Sequence, residues 1–209
     1  MTDVVLSNDV VYGVRRCAHC SVAKPLMTCV QKPTLHYKGD YLNYFYFTAS
    51  CSHCHHLTLF YAESSDNDVK SDMEVKTQYP HNKQADDELP ERAKNFLKQA
   101  YESKHAPDGC LMLAASSIDA MLKDKGYIDG SLYKRIEDAA TANFLTAEMS
   151  EWAHEIRLNA NEPRHADDSF DGATTEDAEQ VLQFASALSQ YLYVLPSKVK
   201  KWKAKKIDR

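Results

Sequence analysis

Two short cysteine pairs constrain this chain more than any other feature. CAHC places Cys17 and Cys20 three residues apart, CSHC does the same with Cys51 and Cys54, and thirty residues separate the pairs. Each C-x-x-C turn presents two thiolates from one tight knuckle. Two such knuckles supply the four sulfur ligands that a zinc ion takes in a closed tetrahedron. A catalytic zinc keeps one position open, so four cysteines imply a structural ion. The segment between the knuckles contains LNYFYFTA (Leu42 to Ala49), and HLTLFYAE follows Cys54; both are aromatic, strand-like runs. Knuckle, strand, knuckle, strand predicts a small N-terminal β zinc ribbon over residues 1–62. His19, His53, His55 and His56 lie beside the thiols and are expected at the knuckle surface. Cys29 and Cys110 have no partner pattern, and Cys110 reads as a core thiol at the start of an apolar helix.

Composition supports a reduced-thiol reading of the cysteines. The opening MTDVVLSNDV has no basic stretch leading into an apolar run, and no apolar segment approaches bilayer length. No secretory signal and no membrane association are expected, and the expected location is cytoplasmic. There, six cysteines mean metal ligands or free thiols rather than disulfides. The formal net charge of −5 is uneven. KVKKWKAKKIDR, from Lys198 onward, holds six lysines, Arg209 and one aspartate, a balance of +6 that leaves −11 on the preceding 197 residues. This basic tail, 197–209, with Trp202 for stacking, is a candidate contact for RNA, DNA or an acidic partner, or a solvated terminus.

Residues 63–88 are polar and acidic and read as a linker, with room for a short strand at MEVKTQYP. Helical periodicity begins at Leu89. LPERAKNFLKQAYESKH groups Ala93, Phe96, Leu97, Ala100 and Tyr101 on one face, with Pro90 in the first turn. CLMLAASSIDAMLKDKG is apolar nearly all round, as a central helix must be, and Gly126 ends it. Shorter helices follow in SLYKRIEDAAT and TAEMSEWAHEIRLNA, the second capped by Thr146. The last starts at TTEDAEQ, where Thr174 and Asp177 approximate a capping box, and ends at Pro196. The fold class expected is mainly α: the ribbon followed by a bundle of about five helices over 89–196.

The densest polar run is IRLNANEPRHADD, residues 156–168, carrying Arg157, Asn159, Asn161, Arg164 and His165. This run, the paired C-x-x-C knuckles, LPERAKNFLKQA, SSIDAMLKDKG and the downstream T-E-D-A helix together resemble the DUF4145 family. The resemblance runs from Cys17 to about Pro196 and implies a helical bundle of the HEPN superfamily. It also implies an association with bacterial defence, anti-defence or mobile elements. Many HEPN relatives are metal-independent RNases that act as homodimers through the bundle, with an arginine and a histidine from each subunit. On that pattern Arg157 and His165 are the candidate catalytic residues, with Asn161 and Arg164 as helpers. The histidine works as acid or base and the arginine offsets phosphate charge.

The pattern is incomplete. Active relatives hold arginine and a polar residue about one turn before the histidine; here Asn161 stands four residues before His165, and Ala160 takes the arginine position. The competing reading is a polar clamp that ends the helix. Arg157 then neutralises the helix C-terminus, Asn161 adopts the left-handed terminal conformation, and His165 pins the loop. Asp119, an aspartate in an otherwise apolar helix, needs a partner, and Arg157 is the one expected. A non-enzymatic binding or regulatory protein, with a protein partner, follows from the closed thiolate set and the displaced arginine. A metal-independent RNase and a non-cleaving nucleic-acid binder are the alternatives.

Overall fold

The computed structural model describes residues 4–38, 43–64, 73–161 and 172–207, and the chain divides into two compact units, Met1–Lys83 and Gln84–Arg209. The first unit is a closed barrel of six strands in sequence order, all neighbours antiparallel. The strands are β1 (Val5–Ser7), β2 (Val10–Tyr12), β3 (Met27–Lys38), β4 (Asn43–Cys51), β5 (Leu57–Ser64) and β6 (Met73–Tyr79). β1 pairs with both β2 and β6, so the sheet closes on itself and leaves no free edge. This corrects the expected fold class: the N-terminal unit is a barrel, and the chain is not a mainly α protein with a small zinc ribbon.

The reasons are local. β1 and β2 have three residues each, too short to show alternation, and are joined by a two-residue turn at Asn8 and Asp9, both with positive φ (48° and 62°). Asparagine and aspartate tolerate that conformation, which the tight hairpin requires. β3 contains Pro33 and shifts register three times, at Cys29/Gln31, Gln31/Thr34 and Leu35/Tyr37, which erases a regular period. β6 is the MEVKTQY segment inside the polar stretch read as a linker. β4 alternates cleanly: Asn43, Phe45, Phe47, Ala49 and Cys51 are buried, and the residues between face outward. Phe45, Phe47 and Phe60 fill the barrel with Met27 and Met73. Phe47 stacks on Phe60, with ring centroids 5.3 Å apart.

The second unit is helical: α1 (Glu91–Glu102), α2 (Pro107–Asp124), α3 (Leu132–Thr141), α4 (Ala147–Asn161), α5 (Thr175–Ser189) and α6 (Leu195–Ile207), with a π-helical turn, Gln190–Val194, joining the last two. α2 is central and buries Cys110, Leu111, Ala114, Ala115, Ile118, Met121 and Leu122. Its buried Ser117 donates from Oγ to the Ala93 carbonyl of α1 at 2.8 Å. The Thr174–Asp177 capping box is formed in both directions, and Thr146 accepts from the Met149 N–H. Asp86 accepts from Ser189 Oγ (2.7 Å) and Gln190 Nε2 (2.9 Å), fixing the entry to the helical unit against the end of α5.

Pro196 does not end the last helix, as its sequence position suggests. Proline lacks an N–H, and its ring crowds the carbonyl four residues back. The π-helical turn, in which the Leu195 N–H reaches the Gln190 carbonyl, widens the backbone just before it. Pro196 then sits at the second position of α6, and the basic segment continues as helix to Ile207. Among the described residues no helix is long and apolar enough to cross a membrane.

Candidate functional site

The barrel unit brings its four predicted cysteines together. Cys17 and Cys20 lie between β2 and β3; Cys51 ends β4 and Cys54 follows in the turn to β5. Their four Sγ atoms fall within 4.8 Å of one another, with Cys17 and Cys54 at 3.8 Å, and all are free thiols. A disulfide needs sulfurs about 2.05 Å apart, so these are ligand distances rather than bonds.

The two knuckles are built alike. The Ser21 N–H donates to the Cys17 carbonyl at 3.0 Å, and the His55 N–H donates to the Cys51 carbonyl at 2.9 Å. Each turn is closed by a left-handed residue directly after its second cysteine, Ser21 (φ 62°) and His55 (φ 59°). The His19 N–H points at Cys17 Sγ at 3.4 Å, a donor placed to stabilise a thiolate. The knuckles are also tied through backbone: the Ser52 N–H meets the Leu26 carbonyl at 2.9 Å, and the His19 ring stacks on His56 at 5.0 Å. Of the four knuckle histidines, His19 bonds the Leu57 carbonyl and His56 the Cys54 carbonyl, so these two brace the turns.

Electrostatics match a cation. Burial pushes the Cys20 thiol up to about 12 and raises Cys17. For Cys51 burial acts the same way, but the backbone N–H groups of Cys54 and His53 outweigh it and the pKa falls below its ordinary value. Cys17 and Cys51 are buried and Cys20 and Cys54 half-buried, their sulfurs converge on one point, and this set can hold a metal ion. Cys29 donates to the Gln31 carbonyl and takes no part. Cys110 is fully buried in the helical core, where desolvation raises it to about 12, as expected of an inert core thiol.

The helical unit carries a second constellation. A cleft of about 370 Å³ opens between α1, α2, α3 and α4, and Arg157 of α4 lines it. Its guanidinium lies over the Tyr133 ring, 5.2 Å from the centroid, and its buried Nε has no hydrogen-bond partner among the described residues. Asp119 also faces the cleft, but its partners are Arg135 (3.2 Å) and Lys123 (2.6 Å), not Arg157 as the sequence suggested. Arg135 is the residue that sequence reading missed. It occupies a buried position on a helix whose apolar face is set by Ile136 and Ala139, and only its neighbours in space reveal its role. His154, one turn before Arg157, is held by Glu137 at 2.7 Å and packs against Tyr133 at 4.8 Å.

Of the remaining candidates, Asn161 is the last residue of α4, while Arg164 and His165 lie outside the described residues. The structure therefore brings Arg157 together with Tyr133, Arg135 and Asp119, and it tests no pairing with His165.

A family model described as "Domain of unknown function (DUF4145)" matches residues 98–206, just over half of the 209-residue chain. No curated protein and no solved structure matches it. The matched region runs from the C-terminal part of α1 to α6, so the family signature resides in the helical unit. This chain belongs to the DUF4145 family.

Proposed function

We propose that the chain acts by binding rather than by catalysis, with a structural zinc ion held by Cys17, Cys20, Cys51 and Cys54. The observation that carries this reading is the closed thiolate set. A tetrahedron with Zn–S bonds of about 2.3 Å has sulfur–sulfur edges of about 3.8 Å, and the Cys17–Cys54 separation is 3.8 Å. Four sulfurs complete the shell, leaving no position for a reacting water. The ion then links the β2–β3 loop to the β4–β5 turn at one end of a barrel whose buried core is small, the situation in which a metal staple contributes most. A regulatory protein of a bacterial defence, anti-defence or mobile-element system, working as a homodimer with a protein partner, is the role that fits a stable scaffold without a reactive metal.

The RNase alternative keeps one observation in its favour: Arg157 has no carboxylate partner among the described residues and faces an open cleft. Purified protein incubated with mixed RNAs in chelator separates the two readings. The binding reading expects no cleavage. Cleavage abolished by His165→Ala and retained in a folded cysteine variant would replace it with a metal-independent endoribonuclease. Contact with RNA or DNA through α6 is supported by Lys198, Lys200, Lys201 and Lys203 on one helix with exposed Trp202. Such binding weakens steeply with salt and is lost on removing 198–209; affinity unchanged by that removal would discard the contact.

A further inference from the structure

We infer that the cleft between α1, α2, α3 and α4 is a binding site for a phosphorylated small molecule, read through Arg92, Lys123, Arg135 and Arg157. This deepens the binding reading, but does not depend on the metal centre.

The charge balance of the cleft is the first observation. Among the described residues four cations line it against one carboxylate, Asp119, which is shared between Lys123 and Arg135. Arg92 and Arg157 have no carboxylate partner among the described residues; each lies near an aromatic ring, Phe96 at 6.0 Å and Tyr133 at 5.2 Å. Such rings orient a guanidinium without neutralising it. Clustered like charges repel, so a cleft of this composition is completed by an anion.

The second observation is independent of charge counting. The Arg135 side chain is only 9% exposed, yet among the described residues its Nε has no hydrogen-bond acceptor, and the buried Arg157 Nε has none either. Asp119 Oδ1 lies 3.2 Å from Arg135 Nη1 but makes no aligned hydrogen bond. Buried donors in native proteins are almost always satisfied. Arg135 and Arg157, whose Nε donors have no partner among the described residues, both line this cavity, and acceptor oxygens placed there would meet their guanidinium groups.

The shape and the donors select the ligand. Guanidinium forks match the oxygens of phosphate and carboxylate, and several converging cations favour the group with more than one negative charge. At about 370 Å³ the cleft exceeds what one phosphate fills, and Phe96, Ala115, Ala120 and Leu132 give it an apolar part. A phosphate group with an organic body attached fits both halves; inorganic phosphates fit only the cationic one.

The test titrates the full chain with inorganic pyrophosphate, ADP and adenosine at constant ionic strength, which removes general screening from the comparison. Saturable binding of pyrophosphate and ADP, with none for adenosine, is expected. ADP binding tighter than pyrophosphate is expected, because the organic body fills the apolar part; equal affinity would overturn the organic part of the assignment. Arg92→Gln, at an exposed position, and Arg157→Gln, at a half-buried one, should each weaken binding by roughly tenfold or more. Lys32→Gln, at an exposed position of β3 in the barrel unit, should leave it unchanged. Absence of saturable binding, or binding insensitive to both arginine changes, or binding lost in the Lys32 variant, would overturn the assignment. Circular dichroism of each variant confirms that it is folded. If zinc is absent and these results hold, only the metal reading fails.

Discussion

Asp119→Asn isolates the contribution of the cleft carboxylate to the stability of the helical unit. Asparagine keeps the shape of the side chain and removes its charge, leaving Arg135 buried without a counter-ion. At 3.2 Å the Asp119–Arg135 attraction is about 5 kcal/mol in an effective dielectric of about 20. Part of that only offsets desolvation, and losing one partner of a buried pair costs about 3–5 kcal/mol. Water entering the open cleft compensates some of the guanidinium, so about 2–3 kcal/mol is expected. The Lys123 pair, at 2.6 Å but 41% exposed on the lysine side, adds no more than about 0.5 kcal/mol. For a unit of this size the melting temperature should fall by roughly 8–12 °C, measured by circular dichroism at constant pH and ionic strength. The double variant Asp119→Asn/Arg135→Met should recover most of the loss, since the stranded charge is gone. A loss below about 0.5 kcal/mol, or no recovery in the double variant, would refute the view that Arg135 depends on Asp119.

Three further outcomes follow from individual contacts. Ser117→Ala removes the buried bond to the Ala93 carbonyl and should cost about 1 kcal/mol in urea unfolding, with the m-value unchanged. Leu97→Ala empties a fully buried position of α1 and should cost about 2–5 kcal/mol by the same assay. Asp177→Ala breaks the capping box and should cost about 1 kcal/mol near pH 7. The Thr174 hydroxyl and backbone N–H hold the Asp177 carboxylate below its ordinary pKa. Its contribution is therefore complete above the unfolded pKa of about 3.9 and disappears as pH falls through the lower folded value. The difference between wild type and Asp177→Ala should accordingly shrink in acid; a difference that grows there would contradict the cap.

The parts of the fold legible in the sequence were those governed by short-range chemistry. The C-x-x-C knuckles, the Thr174–Asp177 box, the alternation of Asn43–Cys51 and the apolar all-round α2 each carry their signal within a few residues. The barrel was hidden because closure is a long-range property. It depends on β1 meeting β6 across more than sixty intervening residues; β1 has only three residues, and β6, expected as a short strand at MEVKTQYP, carries nothing local that names its partner. Register shifts in β3 and Pro33 disguised a third strand. The continuation past Pro196 was illegible for a different reason: a π-helical turn has no composition of its own. In the cleft, Arg157 was found from its motif, whereas Arg92, Lys123 and Arg135 lie on three other helices and converge only in the folded chain. The pairing of Asp119 was misassigned because residues 119 and 135 share no sequence register.

Zinc K-edge absorption of the purified chain tests the closed thiolate centre most directly. One zinc per chain surrounded by four sulfurs at about 2.3 Å, with no nitrogen or oxygen in the inner shell, is the expected spectrum. A chain purified without metal, or zinc bound by fewer than four sulfurs with a light atom completing the shell, would contradict it.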